Sequence, residues 1–157
     1  MKKTNAMRLL DEAHIHYEVK EYDVDPDNLS GVHVAMSADL PIDQVFKTIV
    51  LKGDVTGYLV ALVPVASEID LKKVARLSGN KSVELVPVAA LEKITGYVRG
   101  GCSPIGMKKK FPTYASEKLQ ELERIYVSAG KRGLQLYLGS ADLIAFCDIE
   151  IGDIERE

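Results

Sequence analysis

The sequence predicts an α+β fold: one domain over residues 1–157, with a curved, mixed and largely antiparallel β-sheet or barrel and short helices around it. Three observations lead there. Stretches rich in β-branched residues lie at 46–51 and 58–65, and further strands read at 124–128 and 134–138. The helical patterns between them are short, and few could make regular βαβ crossovers, which argues against a parallel sheet. No repeat, low-complexity tract or linker divides the chain, and 157 residues with 46% hydrophobic content can bury one core.

Each element follows from local chemistry. Thr4 is placed to cap a first helix, with Met7, Leu10 and Ala13 at helical spacing on one face. Residues 16–22 alternate Tyr17 and Val19 against Glu18 and Lys20, a strand with one wet face. A turn-rich stretch, 23–28, follows. Ser30 then caps a short helix carrying Val32, Val34 and Ala35, which stops near Asp39, Leu40 and Pro41. Residues 46–51 and 58–65 form a β-hairpin, with Gly53 and Gly57 bracketing a connection of about five residues. Asp70 is an N-cap, Ile69 and Val74 are spaced for a hydrophobic staple, and Gly79 ends that helix.

Residues 82–86 make a short strand. Pro87 opens a brief helix through Lys93, where its missing N–H costs nothing. Further on, Ser116 caps a helix holding Leu119 and Leu122, and strands at 124–128 and 134–138 are joined by 129–133. Ser140 caps a last helix over 141–146, and Ile149 with Ile151 marks a closing strand.

Charge and composition exclude several function classes. The formal charge is −3, so any nucleic-acid contact must come from local basic clusters and be salt-sensitive. The two cysteines, Cys102 and Cys147, form no CxxC and no secreted disulfide framework. The N-terminus lacks the apolar core of a signal peptide, and the longest apolar run, 58–66, falls short of the ~20 residues that span a bilayer. A cytoplasmic location is expected.

The densest signal lies at residues 95–110, TGYVRGGCSPIGMKKK, which hold four of the twelve glycines. Without Cβ, Gly100 and Gly101 let main-chain groups approach a ligand closely, and donors so presented suit a phosphate, a carboxylate or a developing oxyanion. Taken alone, the pair is better read as a tight turn between two strands. Lys108, Lys109 and Lys110 add cationic density beside it. Lys47 is the one charged residue within the apolar stretch 45–51, sharing a strand face with Val45 and Ile49 while Phe46, Thr48 and Val50 share the other.

Cys102 as a nucleophile needs a base or an electropositive setting, and no histidine is anchored near it. His14, His16 and His33 form no metal motif, Ser103 lacks a hydrolase elbow, and no Walker or dinucleotide fingerprint occurs. No metal and no cofactor are expected.

Five segments in order carry a resemblance. They are Val45-Phe46-Lys47-Thr48-Ile49-Val50, Leu71-Lys72-Lys73-Val74-Ala75, Thr95-Gly96-Tyr97, the run 100–106 (GGCSPIG) and the run 125–134 (IYVSAGKRGL). Together they resemble the YbaK/EbsC family of aminoacyl-tRNA deacylases, freestanding relatives of the editing domain of bacterial prolyl-tRNA synthetases. The likeness runs from about Ala6 to the last strand. It implies a curved mixed sheet with helices around it, and an ester hydrolase acting on the 3′ end of mischarged tRNA. Cysteinyl-tRNA(Pro) is the first expected substrate, with transient help from prolyl-tRNA synthetase.

The resemblance also implies roles. Lys47 lines the pocket and holds a phosphate or stabilises charge as the ester is cleaved, while the Gly100 and Gly101 backbone lies near the acyl carbonyl. Tyr22, Ser128, Gly130, Lys131, Arg132, Gly133 and Gln135 bind substrate. In cysteinyl-specific members the substrate's own thiol attacks its carbonyl, so the protein need supply no nucleophile. Those members carry an acidic residue where this chain has Gln135, and an amide offers an ammonium only a neutral partner. Alanyl or another small aminoacyl ester is therefore the second reading, and a non-catalytic tRNA- or synthetase-binding module the third.

Overall fold

The computed structural model describes residues 2–157. Thr4 caps α1 (Asn5–Glu12), its hydroxyl accepting from the Met7 N–H at 3.2 Å. Then come β1 (Tyr17–Glu21), α2 (Gly31–Ser37), a 3-10 turn at Ile42–Gln44, and the hairpin β2 (Phe46–Gly53) and β3 (Gly57–Pro64). The middle holds α3 (Leu71–Ser78), β4 (Val83–Leu85) and α4 (Val88–Thr95). The last part holds β5 (Thr113–Ser116), α5 (Lys118–Glu121), β6 (Arg124–Ser128), β7 (Leu134–Gly139), α6 (Ser140–Cys147) and β8 (Glu150–Gly152). The α+β class and the mixed pairing are as expected.

The strands form two sheets and no barrel. One is β1-β7-β6, the other β4-β2-β3-β5-β8. Four of the six pairings are antiparallel, and β3-β5 and β5-β8 are parallel. A parallel backbone bridge, Val45 to Tyr126, joins the two sheets. Past that point β2 holds to β3 and, from Leu51 on, to β4, while β6 holds to β7, so the strands splay instead of closing a cylinder.

The largest core cluster fills the space between the two sheets and the helices α1, α5 and α6, and contains Met7, Leu10, Phe46, Leu62, Leu119, Ile125, Leu136 and Leu143. A second lies under α3 on the other face of the five-stranded sheet, around Leu51, Leu59, Val63, Val74 and Ile154. In β3 the alternation is plain: Leu62 serves the first cluster, Ala61 and Val63 the second. A third, small cluster of Ala35, Val45 and Val65 sits below α2 with Tyr126 packed on it.

Several local expectations need correction. The β2-β3 ladder runs on to Gly53–Gly57, leaving a three-residue loop at 54–56. Asn80 makes the tight loop possible: its Oδ1 accepts from the Val55 and Thr56 N–H groups, and Asp54 in turn accepts from Lys81 and Ser82. Ala13 is the exposed C-cap of α1, and Ala6 takes the buried position instead. Ser140 is the first residue of α6, and its hydroxyl donates to the Leu122 and Glu123 carbonyls rather than capping. Leu122 lies just past α5, which is a single turn.

The Asn80 amide occupies the space that a Cβ on Gly53 would need. Asn80→Ala is expected to cost about 1–3 kcal/mol through the lost hydrogen bonds. Gly53→Ala should be destabilising in the native chain and cost less beside Asn80→Ala, with a coupling of at least about 0.5 kcal/mol in urea unfolding. Additive costs would mean that the amide does not fill that space.

Candidate active site

The splay of the two sheets opens a cavity of about 310 Å³. Its floor and one wall come from β2 and the chain before it, the other wall from Ser128 at the end of β6 and Gln135 at the start of β7, which face each other in register. The segment 29–34, with the start of α2, and the glycine-rich residues Arg99, Gly100 and Cys102 complete the rim.

The edge of β2 explains why neighbouring residues reach one cavity. The Val65 N–H donates to Val45 O at 2.9 Å, and on the opposite edge the Val86 N–H donates to Val50 O at 3.1 Å. Antiparallel alternation therefore turns the main-chain groups of Phe46 and Thr48 away from β3, toward the wedge. On the facing lip the Ala129 N–H donates to Leu134 O, which by the same alternation turns the Ser128 main chain toward β2. Lys47 and Thr48 point to opposite faces of the strand, yet both line the cavity because it opens off the strand's edge.

Two polar atoms in this cavity are buried without any hydrogen-bond partner: Thr48 Oγ1 and Gln135 Oε1. Gln135 is only 5% exposed. A buried acceptor left unpaired costs about 1–3 kcal/mol, and such groups mark places where a ligand supplies the missing partner. Lys47 is half-buried beside them. Desolvation lowers its pKa, and the negative charge of Glu68 partly opposes this. No carboxylate is among the residues lining the cavity.

The glycine-rich segment is clamped to the β6-β7 turn. The Arg132 Nε donates to Arg99 O at 2.7 Å, and a Cβ on Gly101 would lie 3.0 Å from Arg132 N. Gly130 adopts φ 96°, with Tyr97 Cε1 only 2.9 Å from where its Cβ would be. Tyr97 is anchored through its hydroxyl, which donates to Ile105 O, and its N–H donates to Thr95 Oγ1 at 3.0 Å. Gly130 needs glycine for both its φ and its space, and at Gly101 a Cβ would press on the facing backbone.

Of the expected site residues, Lys47, Gly100, Ser128 and Gln135 line the cavity. Gly101 is buried in the clamp, its N–H given to Val98 O at 2.9 Å. Tyr22 and Gly133 lie beside each other, joined by the Tyr22 N–H to Gly133 O bond of 2.9 Å, and neither lines the cavity. Gly130, Lys131 and Arg132 form the turn behind Gly101 and are also outside the lining. Thr48, Arg99 and the segment 29–34 join the site without having been singled out. Thr48 was visible in the same motif as Lys47, but strand alternation argued against it.

Cys102 does line the cavity, but burial pushes its thiol up to about 12, more than offsetting a hydrogen bond to Thr95. A thiol so protonated is a poor nucleophile. The lysine triplet is largely occupied elsewhere: Lys108 reaches Lys93 O near the end of α4, and Lys110 pairs with Asp148.

Known proteins match this chain over most of its length. The sequence profile of the aminoacyl-tRNA editing domain matches residues 28–146. A protein of Enterococcus faecalis named as a Cys-tRNA(Pro)/Cys-tRNA(Cys) deacylase, EbsC, is 45% identical over 152 residues, which is 97% of this chain and 93% of that protein. Among solved structures, one described as a trans-editing enzyme for prolyl-tRNA synthetase superposes with a TM-score of 0.83 at 21% identity, covering 100% of both chains. A scaffold used to present grafted epitopes superposes with a TM-score of 0.84 at 22% identity, over 97% of this chain and 95% of its own. At such identities the two structures speak for the fold alone. With the profile match spanning the strands and loops that build the cavity, this chain belongs to the aminoacyl-tRNA editing domain family.

Proposed function

We propose that the protein, acting as a single editing domain, hydrolyses the ester linking a wrongly attached amino acid to the 3′ end of a tRNA, with cysteinyl-tRNA(Pro) as its substrate. One observation carries the reading: Lys47 and the two unpartnered acceptors, Thr48 Oγ1 and Gln135 Oε1, converge on one cavity in a member of this family. An aminoacyl ester carries an ammonium that needs acceptors and a carbonyl that gains negative charge as it is attacked. The acceptors suit the first and the half-buried lysine the second. The name of the 45% identical relative supports the cysteinyl choice.

The chemistry asks little of the protein. The cysteinyl thiol adds to its own ester carbonyl, the bond from that carbon to the ribose oxygen breaks, the thiol proton ends on the ribose oxygen, and water then opens the C–S bond of the released thiolactone to give free cysteine. The cavity's task is to hold the acyl group in that geometry and to keep the developing oxyanion near Lys47. Gly100 presents backbone to the same rim. A transient partnership with prolyl-tRNA synthetase, in the cytoplasm, belongs to the same proposal, since a small acidic domain offers little surface for reading tRNA identity.

The lack of a carboxylate among the lining residues favours one second reading. An ammonium would meet only uncharged acceptors here, which serves alanine or another small amino acid as well as cysteine.

Lys47→Ala is expected to lower deacylation at least tenfold, about 1.4 kcal/mol of transition-state stabilisation, with little change in melting temperature. A folded variant with normal turnover would remove Lys47 from the mechanism. Cys102→Ser should stay active. Unfolded thiols ionise near 9.0, while Cys102 and Cys147 are both pushed up to about 12 by burial. Their contribution to stability is therefore full below about 9 and lost as pH rises toward about 12, so a double Cys→Ser variant should show a shallower alkaline loss of stability. On a panel of mischarged tRNAs, cysteinyl ester should be cleaved much faster than seryl or alanyl ester, because a thiol is partly ionised at neutral pH and an alcohol barely is. Gln135→Asp should keep or sharpen that preference. Equal rates for cysteinyl and alanyl esters would favour the second reading, and no cleavage of any ester would leave a binding module.

A further inference from the structure

We propose that Lys47 is an N-acylation site: its amine captures the aminoacyl thiolactone formed in the cavity, which makes turnover on a cysteinyl ester self-limiting. The proposal rests on the deacylase reading for the source of the thiolactone, but the geometry of the site does not. A thiolactone is an internal thioester, an activated acyl group open to attack by an amine. The Lys47 ammonium first yields a proton to water. Its Nζ then adds to the carbonyl carbon, the C–S bond breaks, and one nitrogen proton passes to the sulfur. The product is an amide on Lys47 that carries the freed thiol and the substrate's ammonium, and no oxidant or further reactant is needed. Such an adduct fills the cavity and removes its cation.

Position singles Lys47 out. Among the lysines of the described residues, only Lys47 and Lys73 are not exposed. Lys73 is tied to Asp153 at 3.2 Å and to Glu155 O at 2.9 Å. The lysines in ion pairs among the described residues are Lys3, Lys73, Lys110 and Lys118, so Lys47 is sheltered without a carboxylate partner. Desolvation lowers its pKa against the opposing charge of Glu68, which leaves it more free amine than an ordinary lysine, whereas the hydrogen bond to Asp153 raises Lys73. The other nucleophiles on the lining are weaker. Burial pushes Cys102 up to about 12, and the hydroxyls of Ser30, Thr48 and Ser128 have no histidine or carboxylate on the lining to serve as base. The same lack leaves water without a general base in the cavity. Thr48, the next residue on β2, holds one unpartnered acceptor and Gln135 the other. The ammonium they take is two bonds from the acyl carbon, so the carbonyl is held alongside Lys47 while the thiolactone ring is intact.

The test uses the native full chain and needs no variant. Homocysteine thiolactone, a larger-ring homologue stable enough to add directly, is incubated with the protein, and acylation of each lysine is mapped by peptide mass spectrometry. Lys47 should be modified about tenfold faster than Lys52, an exposed lysine on the same strand, because the cavity holds the ammonium while the amine attacks. N-acetyl-homocysteine thiolactone has no ammonium to hold, and with it Lys47 should lose most of that preference. Equal labelling of Lys47 and Lys52 by the first reagent, or the same preference with both reagents, overturns the site. A parallel incubation with cysteinyl-tRNA(Pro) should give free cysteine and a cysteinyl amide on Lys47 in one sample. Free cysteine without the adduct overturns the self-limiting step. No release of cysteine overturns the deacylase reading, while the thiolactone labelling still decides the site by itself.

Discussion

The structure turns on one contact, the parallel bridge between Val45 and Tyr126. Below it, Ala35, Val45 and Val65 seal a small apolar knot with Tyr126 packed against it. Beyond it, β2 is committed to β3 along a ladder from Phe46–Pro64 to Gly53–Gly57, and β6 to β7 from Arg124–Gly139 to Ser128–Gln135. Two strands leaving one point under separate commitments must diverge. The gap they leave has main-chain edges for walls, which is why Phe46, Lys47, Thr48 and Ile49 all face it. A closed barrel would have paired those edges and left no room for a ligand.

A second constraint holds the open side. The segment 95–110 has few large side chains to bury, so it is fastened by close backbone approach and a handful of polar bonds. Gly101 abuts the backbone of Lys131 and Arg132, Gly130 abuts Tyr97, and the Tyr97 hydroxyl, the Thr95 hydroxyl and the Arg132 guanidinium supply direction. Close contact of this sort resists substitution, since a single Cβ would push the two loops apart. It also couples the rim of the cavity to the β6-β7 turn, so Gly100, Ser128 and Gln135 are positioned by one assembly.

Two polar groups of residues lining the cavity have no partner within the protein. The fold pairs its other buried polar side chains with care: Asn80 closes a loop, Ser140 ties α6 to the start of β6, and Glu155 meets Ser116 and Lys118. Against that background Thr48 Oγ1 and Gln135 Oε1 stand out as unspent acceptors, and the half-desolvated Lys47 as an unspent cation. All three bear on the same space, where an ester with an ammonium at one end would meet each of them.

The sequence by itself determined the local elements and the family. Caps at Thr4, Ser30 and Asp70 act through nearest-neighbour geometry, the alternation in residues 17–21 needs only a buried and a wet face, and the continuous apolar run 58–64 marks a strand covered on both faces, so these were legible. Lys47, Gly100, Ser128 and Gln135 were legible as candidates because they lie in motifs, and all four line the cavity. Tertiary structure alone decided the rest. No local pattern says that two sheets meet at one bridge and then part, which rules out the barrel and lets Thr48 share a cavity with Lys47. Nor does any local pattern say that Gly101, Gly130 and Gly133 serve a clamp behind the wall, or that Ser140 bonds Leu122 O across seventeen intervening residues. Such roles depend on which remote backbone arrives alongside, and that is fixed by long-range pairing and packing rather than by the spacing of residues along the chain.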